Sequence, residues 1–238
     1  MITALYLGWT DSATKQWFPL QKLTWSNGKY YMIYLQGMLD AMKISVGKRT
    51  LVNSGLAKLD RVKITKELPE DFRKRMPVNR PYTDVEELAR LGLPNNLRRF
   101  NPIEYVARNG LCNLNYELCG ETTPDKYNVY HFYFGTNDLP GIETTEYIQS
   151  HLQVGDLLDL KSDHIYHRGF LLGLAPSYVA DLLNICPKAL SISVAQINRS
   201  RFRFDKVLCH ISMDGNIATP FSDCRYQPLV DIKTELAV

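Results

Sequence analysis

Two histidines three positions apart are the residues best suited to chemistry in this sequence. His164 and His167 stand in the run Asp163-His164-Ile165-Tyr166-His167, which has the composition of a polar loop. Imidazole nitrogens bind metal ions, so the pair raises the hypothesis of a metal-dependent nuclease. Histidines in such loops more often face solvent or a polar ligand, and we therefore predict neither a metal nor a cofactor.

Sequence patterns of other enzyme classes are missing. There is no glycine-rich phosphate loop, no G-x-S-x-G elbow and no H-E-x-x-H helix. Cys209 and His210 are adjacent, and neighbours on a strand point to opposite faces, which argues against a nucleophile–base pair. The spacings of the other cysteines are irregular and typical of thiols in a reducing cytosol: Cys112, Cys119, Cys186 and Cys224. We predict a non-enzymatic protein without catalytic residues.

Three arginines alternate in the run Arg199-Ser200-Arg201-Phe202-Arg203, so that on a strand they would share one face. Such a row can contact phosphates, or it can protect an exposed sheet edge by its charge. Both interpretations stay open at this point.

Aromatic residues alternate between Asn128 and Gly135. Tyr130, Phe132 and Phe134 would lie on one face of a strand, with Val129, His131 and Tyr133 on the other. Such rings stack on bases in single-strand binders, whereas aromatic stripes more commonly form a core.

The elements that would position these residues fall into two groups. The chain opens with a predicted meander of strands at Thr3–Trp9, Lys15–Trp25 and Lys29–Tyr34, with a turn at Ser26-Asn27-Gly28. A strand at Ala57–Thr65 and helices at Pro69–Arg75, from Thr83 to Gly92, and at Pro102–Asn109 follow.

The later group is mainly β. We predict strands at Asn128–Gly135, Asp156–Leu160, Gly169–Leu174, Leu190–Asn198 and Phe202–Ser212, and a short helix at Ser177–Leu183. Thr122 to Asp125 form a polar linker. These patterns predict an N-terminal region over residues 1–121, a second unit over 126–215 and a tail over 216–238.

Composition limits the class of protein. The 238 residues are 45% apolar and 22% charged, with a net charge of +3, which favours a folded core and gives little electrostatic signal for nucleic acid. No signal peptide pattern and no apolar run of membrane-spanning length is present. We therefore predict a cytoplasmic protein that does not bind membranes.

The second unit resembles the HIRAN domain, and four landmarks in order carry this resemblance. They are the strand Tyr130 to Gly135 followed by Leu139-Pro140, the run Leu152 to Leu160, the polar segment Lys161 to Phe170, and the corner Leu172 to Ala180. The N-terminal region is similar to bacterial HIRAN-containing proteins with a part reminiscent of HipA-type kinases, through Gly8 to Trp25, Arg80-Pro81-Tyr82, Leu91-Gly92-Leu93 and Pro102 to Gly110.

The resemblance implies an α+β fold, mainly antiparallel β, in which a sheet-and-helix region precedes an OB-like β-barrel with one short helix. It also implies binding of single-stranded DNA or a 3′ end. His167 departs from the family pattern because it stands where an aspartate is expected, which removes an acceptor for a terminal hydroxyl.

We therefore predict a protein that binds single-stranded DNA or DNA ends through stacking rings and cations. The predicted contacts are Tyr130, Tyr133, Lys161, His164, Tyr166, His167, Arg168, Arg199, Arg201, Arg203 and Lys206. The alternative is a protein–protein adaptor or regulatory subunit in a toxin–antitoxin or phage-defence complex. Exposure of Trp9, Trp17 or Trp25 on the N-terminal sheet would favour that alternative.

Overall fold

The computed structural model describes residues 2–44, 59, 61–73, 88–89, 91–93, 101–109, 115–136, 141–185, 190–197 and 207–230. Within these residues eleven strands form two antiparallel sheets, and five α-helices accompany them. This confirms the predicted α+β class with mainly antiparallel strands.

The start of the chain forms the predicted meander, with strands β1 (Ile2–Thr10), β2 (Trp17–Ser26) and β3 (Lys29–Tyr34). Asn27 and Gly28 turn the chain between the last two strands with φ values of 49° and 72°. Two consecutive left-handed residues match the right-handed twist of a hairpin, which is why an Asn-Gly pair stands there.

Two further strands complete the first sheet, in the order β4-β3-β2-β1-β5. They are β4 (Lys63–Thr65), within the predicted Ala57–Thr65 strand, and β5 (Tyr116–Thr122), which was not predicted. The helices of this half are α1 (Gln36–Ile44), also not predicted, α2 (Glu70–Arg73) and α3 (Pro102–Asn109). Of the helix predicted from Thr83, only Leu88 and Ala89 lie among the described residues, and they are helical.

The second sheet has the strand order β6-β11-β10-β7-β8-β9. Helix α4 connects β6 to β7, and α5 connects β9 to β10. The bounds are β6 (Val129–Gly135), α4 (Gly141–His151), β7 (Leu157–Lys161), β8 (His164–His167), β9 (Phe170–Leu174), α5 (Ser177–Ile185), β10 (Leu190–Ile197) and β11 (Val207–Asp214).

The predicted closed barrel is wrong for the strands that the structure describes, because they form an open sheet. The outer strands β6 and β9 do not pair with each other. Helix α3 and strand β5 contact β6, and helix α4 contacts β9, so neighbouring elements adjoin the two edges that closure would have joined. The Tyr147 ring of α4 stacks on Phe170 of β9, with ring centroids 3.9 Å apart.

The polar segment predicted as a loop, Lys161 to Phe170, contains strand β8 instead. Tight turns flank this strand: Ser162 has φ 58°, and Arg168 and Gly169 have φ 49° and 84°. In this strand Ile165 is fully buried, whereas its neighbours His164 and Tyr166 are more exposed. The polar composition of the segment gave no indication of this alternation.

The described part of the predicted tail, residues 216–230, packs between the two sheets. Phe221 and Tyr226 are buried, and their ring centroids lie 4.9 Å and 5.1 Å from that of Tyr6 on β1. The Arg225 guanidinium donates to the carbonyl oxygen of Trp17 over 3.1 Å and to Asp181 of α5 over 3.2 Å. The segment therefore ties β1 and β2 to the second half of the chain.

One core joins the sheets, because Tyr6 and Trp17 share a buried cluster with the second sheet. The predicted boundary near residues 121–125 coincides with the passage from β5 to β6, and a division into separate domains stays a prediction. No described helix combines the length and apolar content that a bilayer-spanning helix needs.

Replacing Tyr226 tests the bridging role of the C-terminal segment. Tyr226→Ala should lower the free energy of unfolding by about 3 kcal/mol, because a buried aromatic ring between the sheets is lost. Tyr226→Phe is the matched control: it keeps the ring and removes a buried hydroxyl that has no partner among the described residues, so stability should change by less than about 1 kcal/mol. Urea denaturation measures both. Equal stability of the alanine variant and the natural protein would contradict the role.

Candidate functional site

The second sheet has one apolar and one polar face, set by the alternation of its strands. Phe132, Ile211 and Ile165 are buried on the inner face. We call the opposite side the outer face, and its members are His131, Tyr133, Leu157, Asp159, Lys161, His164, Tyr166, Ser191, Ser193, His210 and Ser212.

A continuous cross-strand row runs over the outer face. Tyr133 is registered with His210, His210 with Ser193, and Ser193 with the exposed Leu157. Neighbouring strands lie about 4.8 Å apart, so the face extends about 19 Å from β6 to β8. This length suits an extended chain better than a compact small molecule.

Four predicted contact residues lie on this face. Three of them are close to one another at its β7–β8 end. The Lys161 ammonium lies 5.3 Å from the centre of the Tyr166 ring, and the His164 ring lies 6.4 Å from that of Tyr166. Tyr133 lies at the β6 end. The outer face thus carries predicted contact residues at both of its ends, and their role in binding stays a prediction.

Two predicted contact residues, Tyr130 and His167, face the core and not the outer face. Tyr130 packs against the inner core beside Phe132. His167 is only 2% exposed: its Nδ1 lies 3.1 Å from the Tyr147 hydroxyl and its Nε2 lies 3.3 Å from Asp156. The alternation that places Tyr166 outward turns His167 inward, so we assign it a role in packing.

The remaining predicted contacts are basic. Arg168 is exposed in the β8–β9 turn. Arg199, Arg201, Arg203 and Lys206 lie outside the described residues. Their segment joins the end of β10 at Ile197 to the start of β11 at Val207, and these two residues are registered partners.

The proposed metal pair is excluded by the same alternation. His164 lies outward, where its Nδ1 is 2.6 Å from Asp163, whereas His167 is buried on the other side of β8. Two side chains on opposite faces of a strand do not share an ion. The described residues contain no group of three or more potential metal ligands.

A polar chain that the sequence analysis missed crosses the β6–β11 end of the outer face. Asp125 Oδ2 lies 3.2 Å from His131 Nε2, and His131 Nδ1 lies 3.0 Å from His210 Nε2. The two imidazole rings are nearly parallel, with centroids 5.1 Å apart, and the Tyr133 ring lies 5.0 Å from that of His210. Cys209 is fully buried on the inner face, opposite His210, as the strand alternation predicted.

Arg108 brings helix α3 against this cluster. Its guanidinium carbon lies 3.9 Å from the centre of the Tyr133 ring, a cation–π contact. The same group donates to Glu104 over 2.7 Å and to the carbonyl oxygens of Leu91 and Gly92 over 2.9 and 3.3 Å. Arg108 is therefore committed to protein partners and positions Tyr133.

A cavity of about 290 Å³ opens beside these rings. This volume is near the lower limit of small-ligand pockets. Its lining combines the cluster with the middle strands: Gly92, Arg108, Tyr133, Ser193, Val194, Ala195, Leu208 and His210.

Local charge fixes the protonation of this cluster. Burial lowers the pKa of His210, and the neighbouring His131 and Arg108 lower it further. Hydrogen bonding from the Val129 backbone N–H and from His131 lowers the pKa of Asp125. The polar chain therefore has the Asp125 carboxylate at one end and the neutral His210 imidazole at the other.

No protein-family model, curated protein or solved structure matches this chain. The HIRAN resemblance therefore stays a prediction.

Titration of His210 should make stability pH-dependent in a defined direction. Because its pKa is lower in the folded state, the unfolded chain takes up a proton first as the pH falls below about 6.5, and the free energy of unfolding decreases with falling pH. His210→Phe should lose this share of the slope, and His164→Phe is the control on the same face. Urea denaturation between about pH 8 and about pH 5.5 measures the difference. If the stability of the natural protein and that of His210→Phe changed with pH in parallel, the pKa of His210 would not be lowered in the folded state.

Proposed function

We propose that the outer face of the second sheet binds single-stranded nucleic acid without catalysing a reaction on it. The observation that carries the proposal is the placement of Tyr133, His210, Tyr166 and Lys161 on one open face about 19 Å long. Single-strand binders combine rings on which bases stack with cations that contact the backbone.

The rings at the two ends of the face have different surroundings. At the β7–β8 end, Tyr166 and Lys161 adjoin each other, so one nucleotide can stack on the ring while its phosphate meets the ammonium group. At the β6 end, Tyr133 is covered on one side by Arg108 and is flanked by His210. Between these ends lie small hydroxyl side chains and Leu157, which leave room for a strand.

The cations of the described outer face are few. Two acidic residues, Asp159 and Asp163, lie two positions from Lys161 in the sequence, and Arg108 forms an ion pair with Glu104. The arginine run from Arg199 to Arg203 joins two strands of this sheet in sequence, and we assign to it the additional phosphate contacts.

DNA as the ligand, recognition of a 3′ end, a cytoplasmic location and a defence setting rest on the resemblance alone. The burial of His167 removes one of the side chains through which the polar segment would hold a strand end. We therefore propose recognition along the strand.

The adaptor alternative loses two of its three anchors. Trp9 and Trp17 are buried in the core, and only Trp25, 42% exposed, remains accessible. The exposure of Trp25 favours the adaptor as the sequence analysis stated, but a single exposed tryptophan is common on protein surfaces and supports it less than the outer face supports the nucleic-acid proposal.

Two substitutions test the interface by fluorescence anisotropy with a labelled single-stranded oligonucleotide. Tyr166→Ala should weaken binding about tenfold through lost stacking. Lys161→Ala should weaken it and reduce the slope of log affinity against log salt by about one, as expected for one phosphate contact.

Lys63→Ala, an exposed lysine on β4 of the first sheet, is the matched charge control and should change neither quantity. Binding that tolerates both outer-face substitutions would place the interface elsewhere. Absence of any oligonucleotide binding by the natural protein would refute the proposed function.

A further inference from the structure

The hydrogen bonds of the polar chain determine which nitrogen of His210 carries a proton. The Asp125 carboxylate only accepts hydrogen bonds, so His131 Nε2 must donate to it over 3.2 Å. When His131 is neutral, its Nδ1 is an acceptor, and His210 Nε2 must donate to that atom over 3.0 Å. A neutral His210 that donates through Nε2 carries an unprotonated lone pair on Nδ1.

This Nδ1 atom has no hydrogen-bond partner in the part of the chain that the structure describes, although His210 is half-buried among polar neighbours. His210 is half-buried and lines the cavity together with its cross-strand neighbour Ser193, so a ligand in the cavity can approach its ring. The cavity thus offers an open acceptor.

The groups around His210 favour this neutral form. His131 and Tyr133 face it from β6, Ser193 from β10 and Arg108 from α3. The charge of Arg108 opposes a proton on the ring. Its two terminal nitrogens donate to Glu104, Leu91 and Gly92, and its Nε, which has no partner among the described residues, is buried. An incoming phosphate would therefore meet the imidazole lone pair while the unpartnered Nε–H stays out of reach, whereas a hydrogen-bond donor would be stabilised.

We propose that this cavity recognises a nucleotide through a neutral hydrogen-bond donor, either the ribose 2′-hydroxyl or an amino group on the base edge, and not through its phosphate. The inference rests on the proposed function, and it names the chemistry at one end of the interface. If the donor is the 2′-hydroxyl, the protein prefers RNA to DNA, since the 2′-hydroxyl is what distinguishes the two sugars.

Matched oligonucleotides separate the two sources of the donor. Oligo-rA and oligo-dA carry the same base and differ only in the 2′-hydroxyl, whereas oligo-dA and an oligonucleotide of 2′-deoxynebularine, whose purine lacks the 6-amino group, share a sugar and differ only in that amino group. All carry a 3′-phosphate so that a terminal hydroxyl does not contribute. Anisotropy with the full chain should show a preference of about threefold to tenfold within one of these two pairs, as one hydrogen bond gives.

His210→Phe should abolish that preference while keeping a ring in place, and His164→Phe on the same face should retain it. Asp125→Asn is a second variant that removes the tautomer constraint and leaves His210 intact, and it should reduce the preference. Lowering the pH of the natural protein until His210 is protonated should also reduce the preference, without any substitution.

The outcomes distinguish this inference from the function on which it rests. Binding of all probes without a preference within either pair overturns the donor recognition and leaves strand binding standing. A preference that persists in His210→Phe also overturns it. Failure of the natural protein to bind every probe overturns the proposed function itself.

Discussion

The burial of one face of the second sheet fixes what its other face can present. Side chains on a strand alternate with a period of two, so a shift of one residue in register would exchange the faces. Phe132, Ile211 and Ile165 are almost completely enclosed, and their burial sets the register of β6, β11 and β8. Tyr133, His210 and Tyr166 then point outward as a consequence. The core beneath the sheet therefore determines which side chains the candidate interface presents.

Contacts between the two halves of the chain hold this arrangement together. Glu117 of β5 accepts hydrogen bonds from the backbone N–H groups of Ser177 and Tyr178 at the start of α5, over 2.9 and 3.2 Å. Burial raises the pKa of this carboxyl group, and the two N–H donors oppose that rise. Together with the contact between Arg225 and Asp181, one turn further along α5, this contact fixes the helix that leads into β10. The N-terminal half thereby takes part in positioning the outer face.

The sequence allowed prediction of elements whose signals are local. The Asn27-Gly28 hairpin and the helix Pro102–Asn109 have turn and cap residues in place, and the alternation around Phe132 is unambiguous. Strand β5, which contains Gly120, was not predicted. In the structure, a Cβ atom at that position would lie 2.8 Å from the Ile2 side chain, so the glycine permits close packing. Local patterns do not reveal a close approach of this kind.

The candidate site was only partly predictable for a related reason. Lys161, His164 and Tyr166 are near each other in sequence, and a hairpin brings them together. His131 and His210 are 79 residues apart, and their 3.0 Å contact exists only because β6 pairs with β11 in one register. The face predicted from the polar segment was likewise wrong for His167, since an exposed loop and a two-sided strand have the same composition.

The distribution of charge indicates which parts of such an interface would supply selectivity and which would supply affinity. Its described part has rings, hydroxyl groups and an imidazole acceptor, but few free cations. Stacking and hydrogen bonding discriminate between sugars and bases, whereas phosphate contacts supply affinity that depends on salt. The fixed face is therefore suited to selecting the ligand. In the proposed function, general attraction would fall to the arginines in the sequence between β10 and β11, whose flanking residues Ile197 and Val207 are registered partners in this sheet.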